Sequence, residues 1–373
     1  MRLLKTRDVV SRVRGESRKP ERMITARDIE NSVPRLRLGT FPTPVHRLDR
    51  ASERTKAEIW VKRDDQSGER YGGNHLRKIE FLLADAQARE RKRILTFSCL
   101  GSNYAVAMAL YGQQIDLPCD VVMSYKLPSL ALRQNLLLTA HFGARLYYAR
   151  TFAGAGAMLL KLFAQRTVSD GRAPYLTRAG ASAPLGVMGF VLAGLELADQ
   201  IRQGLCPKPD VLFVTVSSCG TIAGLLVGLA LAGCSIPILG VRVVDAWMAN
   251  SRHVAWLVAG TQRLLRRRVP QILPFRVPSV ELCHEYFGDG YGAATPKAEA
   301  AVAAAREDGL RLENTYTGKT FAAVNDWGAR QENRGRTALF WNTYNSVDLS
   351  PIVASLDWRQ LPRSLWQFFD RET

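Results

Sequence analysis

Short apolar runs rich in β-branched residues alternate with stretches of helical periodicity along most of the chain. The clearest unit starts with the strand-like run at 211–216, passes a turn of small polar residues, and continues as an apolar helix-like stretch at 222–233. A second strand-like run follows at 238–244. No charged residue occurs from 211 to 241, but the turn signals inside this stretch predict a buried strand–helix–strand unit rather than a membrane span.

The same alternation extends over two blocks of the chain. Further strands are predicted at 59–61, 94–97, 119–125, 145–149 and 337–341. Further helices are predicted at 75–90, after Gly101, and at 132–144, 186–201, 298–310 and 318–331. Strands that alternate with helices are typical of parallel sheets with crossover helices. The pattern therefore predicts an α/β protein with two domains and a ligand site between them.

Composition and charge narrow the class of protein. The chain has 373 residues, of which 47% are hydrophobic, and this excludes a disordered chain. Its 51 Lys and Arg against 34 Asp and Glu give a formal net charge of +17, which would suit a nucleic-acid partner. However, the basic residues are spread along the chain, with the densest runs at 12–22 and 263–268, and no nucleic-acid-binding motif is found. We therefore interpret the charge as a surface property and expect no nucleic-acid partner.

The cysteines and the N-terminus suggest a cytoplasmic protein. The six cysteines include no CxxC pair, and no His pair has metal-ligand spacing, so we expect neither a disulfide framework nor a metal site. Residues 1–22 carry eight basic and three acidic residues and no apolar signal-peptide core. This segment is predicted to be a basic arm.

The turn after the strand at 211–216 is a candidate phosphate site. Its residues Ser218, Cys219, Gly220 and Thr221 are small, and they open the apolar helix. A helix N-terminus has free backbone N–H groups and the positive end of the dipole, and both favour a phosphate. Ser and Thr are also good helix caps, so from the residues alone a plain cap stays an equal alternative.

Several other short motifs occur in a fixed order with the phosphate candidate. They are Lys62-Arg63-Asp64-Asp65, Gly72-Gly73-Asn74-His75-Leu76-Arg77-Lys78, Gly101-Ser102-Asn103, Gly186-Val187-Met188-Gly189-Phe190, Tyr291-Gly292 and Tyr316-Thr317-Gly318-Lys319. The set resembles the family of 1-aminocyclopropane-1-carboxylate deaminase and D-cysteine desulfhydrase over roughly residues 38–345. These are pyridoxal-phosphate enzymes of the tryptophan-synthase-β-like kind, fold type II.

The resemblance implies a fold, a division into domains and a set of partners. It implies two doubly wound parallel-sheet domains. We expect a basic arm at 1–37, a large cofactor domain at 38–80 plus 183–345, a small α/β domain at 81–182, and a C-terminal extension at 346–373. It also implies pyridoxal 5'-phosphate as the cofactor, a small amino-acid-like ligand and a homodimer.

The resemblance also implies roles for individual residues. Cofactor-binding roles fall on Asn74, Asn103, Ser218, Cys219, Gly220, Thr221 and Thr343. Among these, Ser218–Thr221 would hold the phosphate, Asn103 would contact the pyridine 3′-oxygen, and Thr343 would lie near the pyridine nitrogen. Catalytic candidates are His75, Lys78, Ser102 and Tyr291.

One position departs from the family pattern in a way that changes the expected chemistry. After Gly-Gly-Asn the family has the lysine that forms the Schiff base with the cofactor, and here that residue is His75. An imidazole does not form the covalent bond that an amine forms with an aldehyde. Tyr344 and Asn345 likewise replace an expected glycine pair, and the bulky Tyr344 would fill part of the cofactor site.

Three functions remain open from the sequence. The first is a divergent family member with an impaired or altered site that lacks the parent reaction. The second is an active lyase or deaminase on a small amino acid, using Lys78 or His75. The third is a cofactor-independent enzyme that uses His75 as an acid or base, because an unperturbed imidazole titrates near neutral pH.

Overall fold

The computed structural model describes residues 24–369, in which ten strands form two sheets. The strands are β1 (Val45–Arg47), β2 (Glu58–Arg63), β3 (Ile94–Cys99), β4 (Cys119–Ser124), β5 (Arg145–Ala149), β6 (Tyr175–Thr177), β7 (Val211–Val216), β8 (Ile238–Arg242), β9 (Glu281–Cys283) and β10 (Thr337–Asn342). The order in the large sheet is β1-β2-β10-β7-β8-β9, and in the small sheet β5-β4-β3-β6. All neighbours are parallel except β1, which pairs antiparallel with β2.

Thirteen α-helices connect and cover these strands within the described residues. They are α1 (Ala26–Ser32), α2 (Asp49–Thr55), α3 (Asn74–Ala88), α4 (Asn103–Gln113), α5 (Leu130–His141), α6 (Phe152–Asp170), α7 (Pro184–Arg202), α8 (Gly220–Leu231), α9 (Ser251–Arg268), α10 (Pro296–Arg306), α11 (Thr317–Gly328), α12 (Ser350–Ala354) and α13 (Arg363–Trp366). The fold is therefore α/β, as predicted.

Both faces of the large sheet are buried, which explains the continuous apolar pattern of its strands. On β10, Leu339 and Trp341 belong to a core cluster that contains residues of α7 and α8. The alternate residues Ala338 and Phe340 belong to a second cluster with α10 and α11. Side chains of a strand point to opposite faces in turn, so helices on both faces require apolar residues at every position.

The predicted strand–helix–strand unit of 211–244 is confirmed as β7, α8 and β8. All six residues of β7 are buried, and so are ten of α8. Among the described residues, α7 is the single helix long and apolar enough to cross a membrane. Most of the apolar residues of this helix are buried inside the protein, as is usual for a helix in a protein core.

The segments at both ends of the chain pack on the core where they are described. Of the predicted basic arm 1–37, residues 1–23 lie outside the described part, and Ile29 of α1 is buried in a cluster with α7 and α9. In the predicted extension 346–373, Leu361, Leu365 and Phe368 are buried in the core of the small sheet. The four strands of that sheet lie between residues 94 and 177, and the exact domain boundaries stay a prediction.

A pair of glycines places the start of α3 at the end of the large sheet. A Cβ on Gly72 would lie 2.1 Å from the carbonyl oxygen of Asp65, and one on Gly73 would lie 2.8 Å from that of Thr343. Gly73 also has φ +95°, which other residues rarely adopt. The first turn of α3 can therefore approach β10 closely, and the Asn74 backbone N–H donates to Thr343.

Candidate functional site

A cavity of about 460 Å³ lies where strands of both sheets end. The loops that follow β3, β7, β8 and β10 all contribute to its lining, and the carboxyl ends of parallel strands are the usual position of a ligand in such folds. Its volume is typical of a site for a small molecule. Ten predicted site residues line it: Asn74, His75, Ser102, Asn103, Ser218, Cys219, Gly220, Thr221, Tyr291 and Thr343. Lys78 is not among the lining residues.

Two helices begin at this cavity without a side-chain cap. Their N-cap residues are Gly73 for α3 and Cys219 for α8, and neither makes a capping hydrogen bond. By contrast, the helices α4, α5, α6, α9 and α10 are capped by Ser102, Ser129, Thr151, Asn250 and Thr295. An uncapped N-terminus keeps backbone donors and a positive dipole end for an anion. The first turns of α3 and α8 both line the cavity, and this arrangement suits an anion.

The two hydroxyls of the β7–α8 loop have different partners. Thr221 Oγ1 accepts a hydrogen bond from Asn74 Nδ2 at 3.0 Å, so its own proton is left to donate to a ligand. Ser218 Oγ shares a hydrogen bond with Ser182 Oγ at 2.7 Å, and Ser182 Oγ also lies 3.3 Å from the backbone oxygen of Gly180. Ser182 has one proton for these two neighbours, so either serine can donate to the other. Ser182 was not predicted; it lies just before α7 in a segment without a recognisable motif.

The amide of Asn103 is also held with its donor free. Its Oδ1 accepts hydrogen bonds from Asn135 Nδ2 at 2.8 Å and from the Tyr71 hydroxyl at 3.3 Å. The Nδ2 group is thereby directed away from these partners. An amide N–H donor on the cavity wall suits an oxygen of a ligand, as the resemblance implies for this residue.

His75 lies on the first turn of α3 and lines the cavity as a neutral imidazole. Burial, together with the neighbouring charge of Lys78, lowers its pKa well below 6.5, against the smaller opposing effect of the Gly180 backbone. Its Nδ1 is buried and finds no hydrogen-bond partner among residues 24–369. The ring lies 5.4 Å from the ring of Tyr104, centroid to centroid. The Nδ1 atom is therefore not accessible from the open cavity, although other parts of the ring line it.

Lys78 lies one helical turn behind His75, inside the protein. It is 1% exposed, and burial lowers its pKa to about 7, with the Cys219 thiol acting in the opposite direction. No lysine lines the cavity among the described residues.

Tyr291 closes one side of the cavity together with Tyr316. Their hydroxyls share a short hydrogen bond, and burial raises the pKa of Tyr291. The ammonium of Lys126 lies over both rings, 5.2 and 5.4 Å from their centroids. Glu313 accepts from the backbone N–H groups of Tyr316 and Thr317 at 2.7 and 2.9 Å. The start of α11 thus holds the chain's own carboxylate, unlike those of α3 and α8.

Several lining residues were missed by sequence reasoning. The ring of His253 pairs through Nδ1 with the backbone oxygen of Met248 at 3.1 Å, which leaves Nε2 as the acceptor. Arg178 contributes a guanidinium that lies 4.7 Å from the ring of Trp256. Both come from segments without a motif, and the one available signal for His253 was Asn250, a good N-cap three residues earlier.

The motif Lys62–Asp65 does not line the cavity. Asp64 forms an ion pair with Arg77 at 2.7 Å, Arg77 pairs with Glu196 of α7 at 2.9 Å, and Lys62 pairs with Glu196. Within residues 24–369, no group of three or more His, Cys, Asp or Glu side chains could hold a metal ion.

Comparison with known proteins identifies the family. The family described as pyridoxal-phosphate dependent enzyme matches residues 36–343. The chain belongs to this family. A putative 1-aminocyclopropane-1-carboxylate deaminase of Pyrococcus abyssi is 30% identical over 316 residues, which cover 83% of this chain and 91% of the relative. A D-cysteine desulfhydrase of Salmonella paratyphi B is 32% identical over 298 residues, covering 79% and 88%.

Solved structures support the same assignment. The crystal structure of a homologue of 1-aminocyclopropane-1-carboxylate deaminase matches with a TM-score of 0.73 and 26% identity, covering 88% of this chain and 97% of the other. Threonine deaminase isoform 2 of Solanum lycopersicum has a TM-score of 0.59 at 15% identity, covering 91% and 99%, and shows the shared fold alone. Fold type II and the predicted family are confirmed, and the family implies pyridoxal phosphate as cofactor.

The cavity fits part of this cofactor. The uncapped starts of α3 and α8 and the hydroxyls of Ser218 and Thr221 suit its phosphate, and the Asn103 amide suits an oxygen on its ring. For the covalent attachment the cavity wall offers His75 and, among the described residues, no lysine.

The phosphate loop provides a direct test of this fit. The double substitution Ser218→Ala with Thr221→Val is expected to weaken binding of pyridoxal phosphate at least about tenfold, because two donors to a charged group are lost. Binding of pyridoxal, which lacks the phosphate, should stay unchanged. Both affinities can be measured by calorimetry. Thr295→Ala, which removes the cap of α10, is the control and should change neither affinity; an equal loss for both ligands would contradict the phosphate assignment.

Proposed function

We propose that this chain binds pyridoxal phosphate without covalent attachment and has lost the deaminase and desulfhydrase reactions of its relatives. The site is altered at the residue that joins the cofactor and moves the proton in the parent chemistry. The proposal includes an amino-acid-like ligand, which would share the cavity with the cofactor.

A single observation carries this proposal: His75 stands on the cavity wall, and no lysine does among residues 24–369. The resemblance places the family lysine at this position. A neutral imidazole forms no lasting bond with the aldehyde. The nearest lysine in sequence, Lys78, is three residues further, about 4.5 Å along the helix, and buried.

The residues of the cavity can still bind and orient. Bound pyridoxal phosphate supplies an electron sink for negative charge beside the nitrogen of an amino acid. Ser218 and Thr221 donate hydrogen bonds to an anionic group, and Asn103 holds a ring oxygen in a fixed orientation. The lowered pKa of His75 keeps its imidazole neutral at pH 7 and makes it a weaker base than a free histidine.

One observation favours the alternative of an active lyase. With its pKa lowered to about 7, Lys78 is about half neutral at pH 7, which is the protonation state of a nucleophilic amine. The cofactor-independent use of His75 as an acid or base rests on the same neutral imidazole, and would require no pyridoxal phosphate.

The visible spectrum and borohydride reduction separate these functions. The purified protein, titrated with pyridoxal phosphate, is expected to bind it reversibly, to lose it on desalting, and to show no cofactor-modified peptide from 74–88 after reduction. D-cysteine and 1-aminocyclopropane-1-carboxylate should not be turned over. A modified peptide containing Lys78 that is absent from Lys78→Met would overturn the proposal, and failure to bind the cofactor at all would favour the cofactor-independent alternative. Peptide mapping excludes incidental reaction of exposed lysines.

The proposal also covers assembly and compartment. We propose a homodimer in the cytoplasm, as the resemblance implies. Six free cysteines, of which none is paired in a disulfide, support a reducing compartment. Light scattering of the purified chain gives the mass in solution directly.

A further inference from the structure

Three aromatic side chains, Phe97, Phe152 and Trp247, line the outer part of the cavity, and we call them the aromatic rim. We propose that the aromatic rim binds the side chain of the amino-acid-like ligand and selects ligands with an aromatic side chain over those with a small one. This inference rests on the proposed function for the presence of an amino-acid-like ligand, and it adds the class of side chain.

The aromatic rim is assembled from three separate segments. Phe97 belongs to β3, Phe152 is the first residue of α6, and Trp247 lies in the loop between β8 and α9. The Phe97 and Phe152 rings are 5.9 Å apart, and the Phe152 and Trp247 rings are 5.4 Å apart at 90°. The rim therefore joins elements of the small sheet to a loop of the large sheet, directly at the cavity.

Two members of the aromatic rim are exposed although they line a cavity. Phe152 is 50% exposed and Trp247 is 67% exposed. Large apolar surface that remains in water next to a cavity marks a ligand-binding position more often than a chance surface residue. The edge-to-face contact of the two rings leaves ring faces open, and such faces are suited to a third aromatic ring.

The neighbouring chemistry of the wall agrees with an apolar side chain. Met248 follows Trp247 and also lines the cavity, and a thioether packs well against aromatic rings. The charged and hydroxyl-bearing groups that bind polar parts of a ligand lie on other segments, such as 217–221. A side chain as small as that of alanine would leave the rim in water, whereas a phenyl ring would remove much of it from water.

The apolar area of a phenyl ring determines how strongly an aromatic ligand should be preferred over a small one. A phenyl side chain packed against the rim removes apolar area from water that the methyl group of alanine lacks, and this strengthens binding. We therefore expect phenylalanine to bind about tenfold more tightly than alanine. The same ratio is expected for 3-phenylpropanoate against propanoate.

Calorimetry with two ligand pairs tests the proposal. Phenylalanine and alanine, each in both enantiomers, are titrated into the protein without added cofactor. The carboxylates 3-phenylpropanoate and propanoate are titrated into cofactor-saturated protein, because they carry no amine to react with free pyridoxal phosphate. In Phe152→Ala and Trp247→Ala, the preference for the aromatic ligand should fall to within about twofold of unity, with the affinity for the small ligand unchanged.

A control on the same helix separates the aromatic rim from general surface effects. Leu160 of α6 is 75% exposed and does not line the cavity, so Leu160→Ala should keep the full preference. No aromatic preference in the unchanged protein, or a preference that survives both rim variants, would overturn the proposal. A drop in molecular mass by light scattering in Trp247→Ala would also overturn it, since the rim would then be a contact between two copies of the chain. Covalent attachment of the cofactor would refute the proposed function. The ratio of the affinities for the aromatic and the small ligand would still test the aromatic rim in that case.

Discussion

His75→Lys is expected to convert the chain into a protein that retains pyridoxal phosphate through desalting and absorbs visible light. The substituted side chain would start from the first turn of α3, where residue 75 lines the cavity. Burial and the nearby charge of Lys78 lower the pKa of His75, and the same two effects would favour the neutral, nucleophilic form of a lysine there. Reduction with borohydride followed by intact mass and peptide mapping measures the attachment, which should change from none to nearly one cofactor per chain.

The control for this prediction keeps the size and polarity of residue 75 but provides no amine. His75→Gln should bind the cofactor reversibly, as the unchanged protein does. His75→Lys combined with Lys78→Met should attach the cofactor as fully as His75→Lys alone. If His75→Lys folds but attaches nothing, residue 75 does not face the cofactor, and the explanation for the lost reaction fails. A gain of activity on D-cysteine in that variant would assign the loss to this one residue.

The strands of the core could be predicted from the sequence because burial on both faces imposes a simple pattern. Every residue of β7 is apolar or β-branched, and the predicted strand 211–216 has the same first and last residues as the observed strand. The strands β1, β6 and β9 were not predicted; each has three residues and exists by pairing with a longer neighbour. A run of three residues carries no periodicity, so local patterns cannot detect such strands.

Two long helices were also missed, for different physical reasons. In α6 only Ala155 and Leu162 are buried, so the helix lies on the surface and has no clear apolar stripe. In α9 the buried residues follow helical spacing, but the basic run 263–268 dominates the composition and was interpreted as a charged surface. Both helices begin with residues that line the cavity or lie near it. Their omission hid Phe152 and His253 from the predicted site.

The phosphate loop was predicted correctly as a structural unit because its signal is local. A buried strand, small residues and an apolar helix are adjacent in sequence. The end of the strand and the start of the helix therefore fix the position of the loop between them. Other parts of the wall, such as Arg178, Ser182 and Trp247, reach the cavity through the arrangement of two sheets. No local pattern contains that arrangement. The family resemblance supplied the roles, and those roles stay predictions.

The motif Lys62–Asp65 illustrates how a specific sequence signal can be structural. It resembles the family closely, yet its ionic groups are buried beneath the cavity, where they join β2, α3 and α7. Asp64 also accepts a hydrogen bond from the indole of Trp341 at 2.8 Å, which adds β10. The network fixes the helix that carries His75 relative to the sheet, so it acts on the site by positioning.

Arg77→Met is expected to lower the free energy of unfolding by about 3–5 kcal/mol at pH 7. Arg77 is 3% exposed and holds the carboxylates of Asp64 and Glu196, so its loss leaves buried charges without full compensation. Urea unfolding followed by circular dichroism measures the change. The control is Arg47→Met: Arg47 pairs with Glu58 on the surface, where such pairs contribute about 1 kcal/mol or less.

The pH dependence distinguishes an electrostatic cause from lost packing. Burial alone would raise the pKa of Glu196, but Arg77 and Lys62 outweigh burial and lower it to about 2. A lowered pKa in the folded state contributes stability that is present above pH 4.5 and is lost as the pH falls toward 2. The stability difference between Arg77→Met and the unchanged protein should therefore shrink between pH 7 and pH 3, because protonated carboxyls no longer need the guanidinium. A difference that stays constant over this range would show that Arg77 stabilises through packing, and that the network does not position α3 by charge.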